Sequence, residues 1–451
     1  METKLLSKSC PDQPRSDEMR PKCCEKSQSQ RTFRFFSAWL FVLSSFATPH
    51  RFLVMEVCAN PLSADCTLSA DQSVRACESL RAAGGPDYVN RDVLFREAAD
   101  PFVAPVNVDS LQFKIGQMIM IGFRGTRLEE GNETLRQISK LHLGGVVLFD
   151  VDVATKTDKR NISSPAQVRE LTRTLQKAAS MPLFIAVDQE GGRVSRLKSK
   201  YGFPSSVSQQ YLGGLDNPDS TRAHALQTAS TLYQSGINLN FAPVVDVNVN
   251  PSNPVIGKLE RSFSSDPEVV TRNAVIVTEA FHERGILSSI KHFPGHGSST
   301  ADSHEGFVDV TGTWTVRELQ PFAELIRRHS CDMVMTAHIF NAKLDGTFPA
   351  TLSRRTLFHM LRDSLGYSGV IVTDDMQMKA IRSLYPLDTA VYRAIDAGAD
   401  ILLFGNNTGE YDPDIAETAV AAVVRLIAAG RISVDRIEES WRRIRALKAR
   451  L

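Results

Sequence analysis

The chain has almost no excess of charge of either sign. Its 451 residues contain 52 Lys and Arg against 51 Asp and Glu, which leaves a formal net charge of +1 at pH 7. No global field therefore draws in nucleic acid, and no long basic block or basic–aromatic stripe follows residue 60. A hydrophobic content of 42% with 23% charged residues is typical of a globular protein. We predict no nucleic-acid partner.

Cysteine is scarce beyond the N-terminal segment. Six of the seven cysteines lie in the first 77 residues, and Cys331 is the only one after them. The large C-terminal part therefore cannot be a disulfide scaffold or a cysteine-based zinc fold. Cys66 and Cys77 could pair if their segment is exported, and unpaired thiols are the alternative.

A long apolar run is also missing. The stretch "FFSAWLFVLSSFATP" covers residues 35–49, which is short of the roughly 20 residues of a membrane-spanning helix. It follows residues 1–34, which carry eight Lys and Arg against five Asp and Glu and are predicted to be disordered. Together they resemble an export signal. We predict a signal-bearing extension over residues 1–60, a linker over 61–108, and export to the periplasm or cell envelope. A cytoplasmic protein and a retained N-terminal anchor remain alternatives.

From residue 109 onward, short apolar runs alternate with amphipathic segments. Apolar strands that are separated by helices indicate a parallel sheet buried on both faces. Eight such units predict a single α/β domain, a TIM-type (β/α)8 barrel over residues 109–451. An open doubly wound sheet is the alternative, but no G-x-G-x-x-G turn follows the first run. The eight predicted strands are 117–123, 144–149, 183–188, 239–247, 288–293, 333–339, 369–375 and 400–405.

Polar side chains collect where these predicted strands end. In a barrel of this kind, the carboxyl ends of the strands form one rim, and catalytic groups lie on that rim. A purely structural barrel has no need for such a collection, so the pattern predicts a catalytic rim. Its members are Asp188, Asp246, Lys291, His292, His338, Asp374 and Asp375.

The stretch "KHFPGHGSSTADSH", residues 291–304, concentrates basic and acidic groups in a turn-rich segment. A metal site, a phosphate cradle and an acid–base loop are the three interpretations. The spacing matches no zinc motif and Lys291 would repel a cation, so we predict no metal. No helix start obviously follows the glycines, which weakens the phosphate interpretation. His296 is predicted to hold the loop by hydrogen bonds.

Several motifs in this order resemble glycoside hydrolase family 3, and within it the β-N-acetylglucosaminidase branch. The resemblance covers residues 110–450 and implies a retaining double displacement without a cofactor. The motifs are "DQEGGRVSRL" (188–197), "RSF" (261–263), "KHFPGHG" followed by "DSH" (291–304), and "VTDDMQM" (372–378).

The resemblance also implies roles for individual residues. Asp374 would be the nucleophile, with Asp375 as the alternative. His304 would be the general acid/base, oriented by Asp302. An imidazole has an unperturbed pKa of about 6.5, which suits both donating and accepting a proton near neutral pH. The implied sugar-binding residues are Asp188, Arg196, Arg261, Lys291 and His292.

Two departures from the family pattern fall in the loop that carries the acid/base. Ser298 stands where the family commonly has Asp, and "EGFVDV" follows "DSH" where a Leu-Pro pair is expected. Both put the loop geometry and the leaving-group preference in question.

We therefore expect a monomeric exo-acting β-N-acetylglucosaminidase that acts on carbohydrate, either peptidoglycan fragments or chitin oligomers. A family 3 hydrolase for another β-sugar, a phosphorylase, and a non-catalytic sugar-binding barrel are the alternatives. A histidine acid/base repels an incoming phosphate less than a carboxylate would, which keeps the phosphorylase open.

Overall fold

Eight parallel strands form the centre of the structure, a computed structural model that describes residues 110–451. Two further short strands pair with each other as an antiparallel hairpin. The strands are β1 (Ile119–Gly122), β2 (Gly145–Leu148), β3 (Val151–Asp152), β4 (Thr157–Asp158), β5 (Phe184–Val187), β6 (Leu239–Asn240), β7 (Leu287–Phe293), β8 (Met333–Thr336), β9 (Val370–Val372) and β10 (Leu402–Phe404).

The eight strands close into a ring. Their order is β10-β1-β2-β5-β6-β7-β8-β9, and every pairing between neighbours is parallel. The two ends meet at a parallel bridge between Val372 and Ile401, where the backbone N–H of Thr373 donates to the carbonyl of Ile401 at 3.0 Å. The predicted (β/α)8 barrel is therefore confirmed, and the open sheet is not found.

All eight predicted strands are present, but some are shorter than the apolar runs. The run at 239–247 contributes only the two residues of β6. Pro243 follows shortly, and a proline has no N–H to give to the ladder. The chain pairs again at one isolated bridge between Val244 and Lys291, so Asp246 lies beyond the strand, at the rim.

Helices cover the outside of the ring, and several begin where the sequence predicts. Ser164 caps one helix by accepting from the N–H of Gln167 at 3.2 Å, with Pro165 at the first helical position. Apart from three short 3-10 helices (Ser199–Tyr201, Val316–Leu319 and Ala350–Leu352), the helices of residues 110–451 are α1 (Leu111–Gln117), α2 (Glu133–Leu141), α3 (Pro165–Ala178), α4 (Gln209–Leu215), α5 (Pro218–Gln234), α6 (Pro267–His282), α7 (Gln320–Arg327), α8 (Arg355–Ser364, a π-helix), α9 (Lys379–Arg382), α10 (Leu387–Ala397), α11 (Ile415–Ala428) and α12 (Val434–Lys448).

The core has two layers, one inside the ring and one between ring and helices. All four side chains of β5 are fully buried, although neighbours on a strand point to opposite faces. Helix α6 supplies the outer layer through Val270, Ala274, Val277 and Phe281, which recur at helical spacing on one buried side. A strand buried on both sides is rigid, so the polar groups at its end are held in fixed positions.

Within residues 110–451, no helix is both long enough and apolar enough to cross a membrane. The predicted signal-like segment and linker, residues 1–108, lie outside the described residues, and so does Cys66 with Cys77.

Candidate active site

A loop that begins at the end of β7 carries the predicted acid/base; we call residues 294–310 the dyad loop. It starts with a tight turn in which Gly295 has a φ of +118°, and a Cβ atom there would lie 2.6 Å from the Cβ of Glu318. Only glycine fits this turn. The indole N–H of Trp314 donates to the carbonyl of Pro294 at 3.0 Å. The start of the loop is therefore fixed by the segment that leads into α7.

His296 holds the dyad loop from inside. Its backbone N–H donates to Oδ1 of Asp246 at 2.7 Å. Its ring nitrogens contact two hydroxyls of the same loop, Nδ1 with Oγ of Ser299 at 2.8 Å and Nε2 with Oγ of Ser303 at 3.3 Å. The side chain is 2% exposed. These contacts confirm the predicted hydrogen bonds of His296, and they leave it no free nitrogen for a substrate.

Asp302 and His304 form a pair on the outer part of the dyad loop. Oδ1 of Asp302 lies 2.8 Å from Nδ1 of His304 and also accepts from the His304 backbone N–H at 2.8 Å. The Nε2 side of the ring is left for other contacts, and the His304 side chain is 54% exposed. Burial alone would lower the pKa of His304, but the hydrogen bond to Asp302 and the charge of Asp374 raise it above its ordinary value.

The dyad loop is tied to the segment that follows β9. The backbone N–H of Ala380 donates to the carbonyl of Ser303 at 3.3 Å, and Nζ of Lys379 lies 2.9 Å from Oε2 of Glu305. A loop that leaves β7 is thus fastened next to the end of β9. This crossing places His304 on the same side of the barrel mouth as Asp374, whose charge acts on it.

The two neighbouring carboxylates after β9 have different surroundings. Oδ1 of Asp375 accepts from the backbone N–H groups of Gly405 at 2.9 Å and Gln377 at 3.0 Å. Burial raises the pKa of Asp375 to about 6. Burial would raise the pKa of Asp374 as well, but the surrounding histidines, among them His338 and His304, lower it below its ordinary value. Asp374 is therefore the carboxylate that stays ionised beside the imidazole of the dyad loop.

His338 supports this segment. Its Nε2 lies 2.9 Å from the carbonyl oxygen of Asp375, and its Nδ1 lies 2.8 Å from Oγ1 of Thr351. A carbonyl can only accept, so Nε2 of His338 carries a proton and donates it to Asp375. Burial lowers the pKa of His338. The sequence left the role of His338 open; in the structure, His338 fixes the backbone beside Asp374.

A buried ion cluster forms the opposite side of the mouth, from β5 and β7. Nζ of Lys291 lies 2.7 Å from Oδ1 of Asp188 and 2.6 Å from Oε1 of Glu190. Arg261 binds Glu190 through two contacts of 2.7 Å. Burial would raise the pKa of Asp188 and of Glu190, but these cations hold both below their ordinary values. Lys291 is 1% exposed, whereas the Asp188 carboxylate is 18% exposed and reaches the mouth.

Arg196 extends this cluster outward. Its Nη2 lies 3.6 Å from Oδ2 of Asp188, and its side chain is 27% exposed. The guanidinium also lies 5.7 Å from the ring centre of Phe149. Asp188 and Arg196 are therefore the two predicted sugar-binding residues with the most access to solvent. Arg193, by contrast, is 62% exposed, and its contact to Glu260 is 3.9 Å.

His292 connects the ion cluster to Asp246. Nη2 of Arg261 lies 3.2 Å from Nε2 of His292, and Nδ1 of His292 lies 2.6 Å from Oδ2 of Asp246. Because a guanidinium only donates, Nε2 accepts and Nδ1 carries the proton that goes to Asp246. Burial and the neighbouring cations Arg261 and Lys291 lower the pKa of His292 well below its ordinary value. Asp246 thus contacts both the His292 ring and, through the backbone of His296, the dyad loop.

Sequence reasoning missed two buried carboxylates. Glu190 follows Asp188 by two residues, a spacing that puts both on one side of an extended chain, and this signal was present in "DQEGG". Glu318 lies twenty residues from Ser298, whose backbone N–H donates to its Oε2 at 3.2 Å. Glu318 is fully buried, and burial raises its pKa to about 7. No sequence pattern near either residue predicts the contact between Ser298 and Glu318.

The described residues do not bring three His, Cys, Asp or Glu side chains together in an arrangement that could hold a metal ion. What the rim does bring together is an ionised carboxylate, Asp374, and an imidazole with a raised pKa, His304. A carboxylate and a proton donor are the groups that a glycoside hydrolase uses.

Comparison with known proteins identifies the family. The model for "Glycosyl hydrolase family 3 N terminal domain" matches residues 110–447. The chain belongs to glycoside hydrolase family 3, as the sequence motifs predicted.

Similar proteins within the family carry related names. Beta-hexosaminidase A of Pseudoalteromonas piscicida is 36% identical over 338 residues, which are 70% of this chain and 54% of that protein. Beta-hexosaminidase of Xylella fastidiosa (strain M23) is 36% identical over 315 residues, 68% of this chain and 87% of that protein. The solved structure of a family 3 beta-N-acetylglucosaminidase from Paenibacillus sp. str. FPU-7 is 36% identical with a TM-score of 0.69, over 76% of this chain and 62% of that one. The chain thus spans about half the length of the first of these relatives.

Proposed function

We propose that this protein is a retaining exo-β-N-acetylglucosaminidase that releases terminal β-linked N-acetylglucosamine from peptidoglycan fragments or chitin oligomers. The observation that carries the proposal is the Asp302–His304 pair, held on a loop that is fastened beside Asp374. The names of the similar proteins support the sugar. The partly exposed side chains of Asp188 and Arg196 support binding of hydroxyl groups, since charged groups make strong, directional hydrogen bonds to a neutral sugar.

In the first step, a carboxylate oxygen of Asp374 attacks the anomeric carbon and forms an ester bond. The bond from that carbon to the glycosidic oxygen breaks, and its electron pair stays on the oxygen. His304, protonated at both ring nitrogens, donates the Nε2 proton to this oxygen, so a neutral alcohol leaves. The raised pKa of His304 favours the protonated form that this step requires.

In the second step, the neutral Nε2 of His304 accepts a proton from water. The water oxygen attacks the anomeric carbon, and the ester bond to Asp374 breaks with its electrons returning to the carboxylate. Two displacements at one carbon retain its configuration. Asp302 keeps the Nδ1 proton on the imidazole throughout, through its 2.8 Å contact.

The test compares 4-nitrophenyl β-N-acetylglucosaminide with the matching β-glucoside, using the full chain and its Asp374→Ala variant. We expect a strong preference for the N-acetyl sugar and a loss of at least about 10³-fold in the variant. Azide should restore activity in Asp374→Ala and yield the α-glycosyl azide, because a small anion can take the place of the missing carboxylate. Asp363→Ala removes an exposed carboxylate on α8 and serves as the matched control.

Two results would change the proposal. An equal or reversed sugar preference would leave a family 3 enzyme for another sugar. Formation of N-acetylglucosamine 1-phosphate in phosphate buffer would make the protein a phosphorylase, which a cationic His304 would tolerate. We also propose export to the cell envelope, on the basis of residues 35–49; cell fractionation of the full chain tests it.

A further inference from the structure

The dyad loop carries an exposed aromatic side chain near its C-terminal end. Phe307 follows His304 by three residues and is 52% exposed. Its ring lies 5.3 Å, centre to centre, from the ring of Phe340, at an interplanar angle of 41°. We call Phe307 and Phe340 the aromatic pair. An exposed aromatic ring three residues from the acid/base offers an apolar face to a ligand.

The aromatic pair has a fixed place on the rim. The backbone N–H of Phe340 donates to the carbonyl of Val308 at 2.8 Å, and the N–H of Val310 donates to the carbonyl of Phe340 at 2.9 Å. These bonds fasten the end of the dyad loop to the segment after β8. Phe340 itself follows His338 by two residues, and His338 contacts the backbone beside Asp374. The pair therefore borders the mouth on the side of His304.

The proposed reaction determines which part of the substrate lies on the His304 side of the mouth. His304 must give its Nε2 proton to the glycosidic oxygen, so the atoms beyond that oxygen lie against the dyad loop. The terminal sugar occupies the other side of the mouth, where Asp188 and Arg196 stand. A pyranose ring presents C–H groups on its faces, and these pack on aromatic rings in the way that apolar surfaces do.

Charge indicates which leaving sugar fits. Residues 301–310 carry three acidic side chains, Asp302, Glu305 and Asp309, and His304 is the one basic group among them. The nearby cation Lys379 is already paired with Glu305 at 2.9 Å. Because His304 is paired with Asp302 and Lys379 with Glu305, this segment offers no free cation to a leaving sugar that carries a carboxylate, and it accepts a neutral one.

We propose that Phe307, with Phe340 behind it, is the platform for the first sugar of the leaving group and selects neutral N-acetylglucosamine oligomers. This inference rests on the proposed function and deepens it, because it chooses chitin-type oligomers over fragments whose leaving sugar bears a carboxylate. Phe307 positions the leaving group and takes no part in bond making.

The experiment compares two substrates that both need a proton from His304. N,N′-diacetylchitobiose has a sugar as its leaving group, whereas 2,2,2-trifluoroethyl β-N-acetylglucosaminide has no ring there. We expect Phe307→Ala to lower kcat/KM for the disaccharide about 10-fold, mainly through KM, a change equal to about 1.4 kcal/mol. The trifluoroethyl glycoside should change less than about 2-fold. Phe307→Tyr should keep the wild-type rate on both, and Phe307→Leu should fall between.

The matched control is Tyr233→Ala, an exposed aromatic residue at the C-terminal end of α5, away from the rim. Equal losses on both substrates would show that Phe307 only shapes the loop, and no loss on either would also overturn the platform. Wild-type activity on the trifluoroethyl glycoside without activity on the disaccharide would overturn it too. A wild-type protein inactive on both would overturn the proposed function instead. Faster cleavage of a disaccharide with a muramic acid leaving group would contradict the charge argument.

Discussion

Lys291 holds two carboxylates at once: its Nζ lies 2.7 Å from Asp188 and 2.6 Å from Glu190. A buried ammonium between two carboxylates is stable only when every charge is compensated, and Arg261 completes the compensation through Glu190. The residue that meets solvent, Asp188, is therefore held in place by the buried pair of Lys291 and Glu190. If Asp188 binds the terminal sugar as proposed, the position of that sugar depends on these buried charges.

Glu190→Ala should destabilise the fold strongly. It leaves the buried cations Arg261 and Lys291 with too few partners, and loss of one member of a buried ion pair costs about 3–5 kcal/mol. Urea unfolding measures the change, and Glu190→Gln, which keeps the volume and the acceptor, should cost less. Glu283→Ala removes an exposed pair with Arg222 and should cost under about 1 kcal/mol. A Glu190→Ala variant as stable as the wild type would contradict the charge compensation.

Asp302→Asn should shift the pH dependence of kcat/KM. The hydrogen bond to Asp302 raises the pKa of His304, so its loss lowers that pKa. His304 must be protonated for the first step, and the alkaline limb of the profile should therefore move to lower pH. At pH 7 the rate should fall by at least about 10-fold, which is part of the roughly 10²–10⁴-fold that general acid–base catalysis contributes. A profile from pH 4 to pH 9 checks the shift; an unmoved alkaline limb would remove His304 from the acid role.

The fold could be predicted from local sequence patterns, because a strand buried on both sides must be apolar throughout. Eight such apolar runs separated by helices are compatible with few sheet arrangements. The strand lengths do not follow, since the pairing of β6 stops at Asn240, inside an apolar run that contains Pro243. The rim residues were predictable because they end those runs. Their contacts were not, because Glu318 meets Ser298 only after the chain has folded. The assigned roles came from the family resemblance, and the experiments above test them.

Glu318→Gln should stabilise the protein, and more so at alkaline pH. The ordinary pKa of the carboxyl is 4.5, and burial raises it to about 7 in the fold. Below pH 4.5 both states hold the proton and Glu318 costs nothing. Stability then falls as the pH rises through 7, by about 3 kcal/mol in all. Glutamine does not titrate, so the melting temperature of the variant should exceed that of the wild type at pH 8 and match it near pH 4.5.

The control for this comparison is Glu260→Gln, an exposed carboxylate with only a 3.9 Å contact to Arg193. Its melting temperature should follow that of the wild type at both pH values. A Glu318→Gln variant that tracks the wild type at pH 8 would mean that Glu318 is ionised at little cost.

Substitution of Asp374 should reduce activity, whereas substitution of Asp375 should reduce stability. Asp374 faces the imidazoles of the mouth, so Asp374→Asn should abolish turnover while the melting temperature stays within a few degrees of the wild type. Asp375 instead accepts from the N–H groups of Gln377 and Gly405, and at pH 5, where its carboxyl is mostly protonated, Asp375→Ala should cost about 1–3 kcal/mol by leaving those donors unpaired. Melting curves and initial rates on one preparation of each variant give both readouts. If Asp375→Asn loses turnover completely and Asp374→Asn keeps it, the nucleophile is Asp375, and the assignment of the two carboxylates must be exchanged.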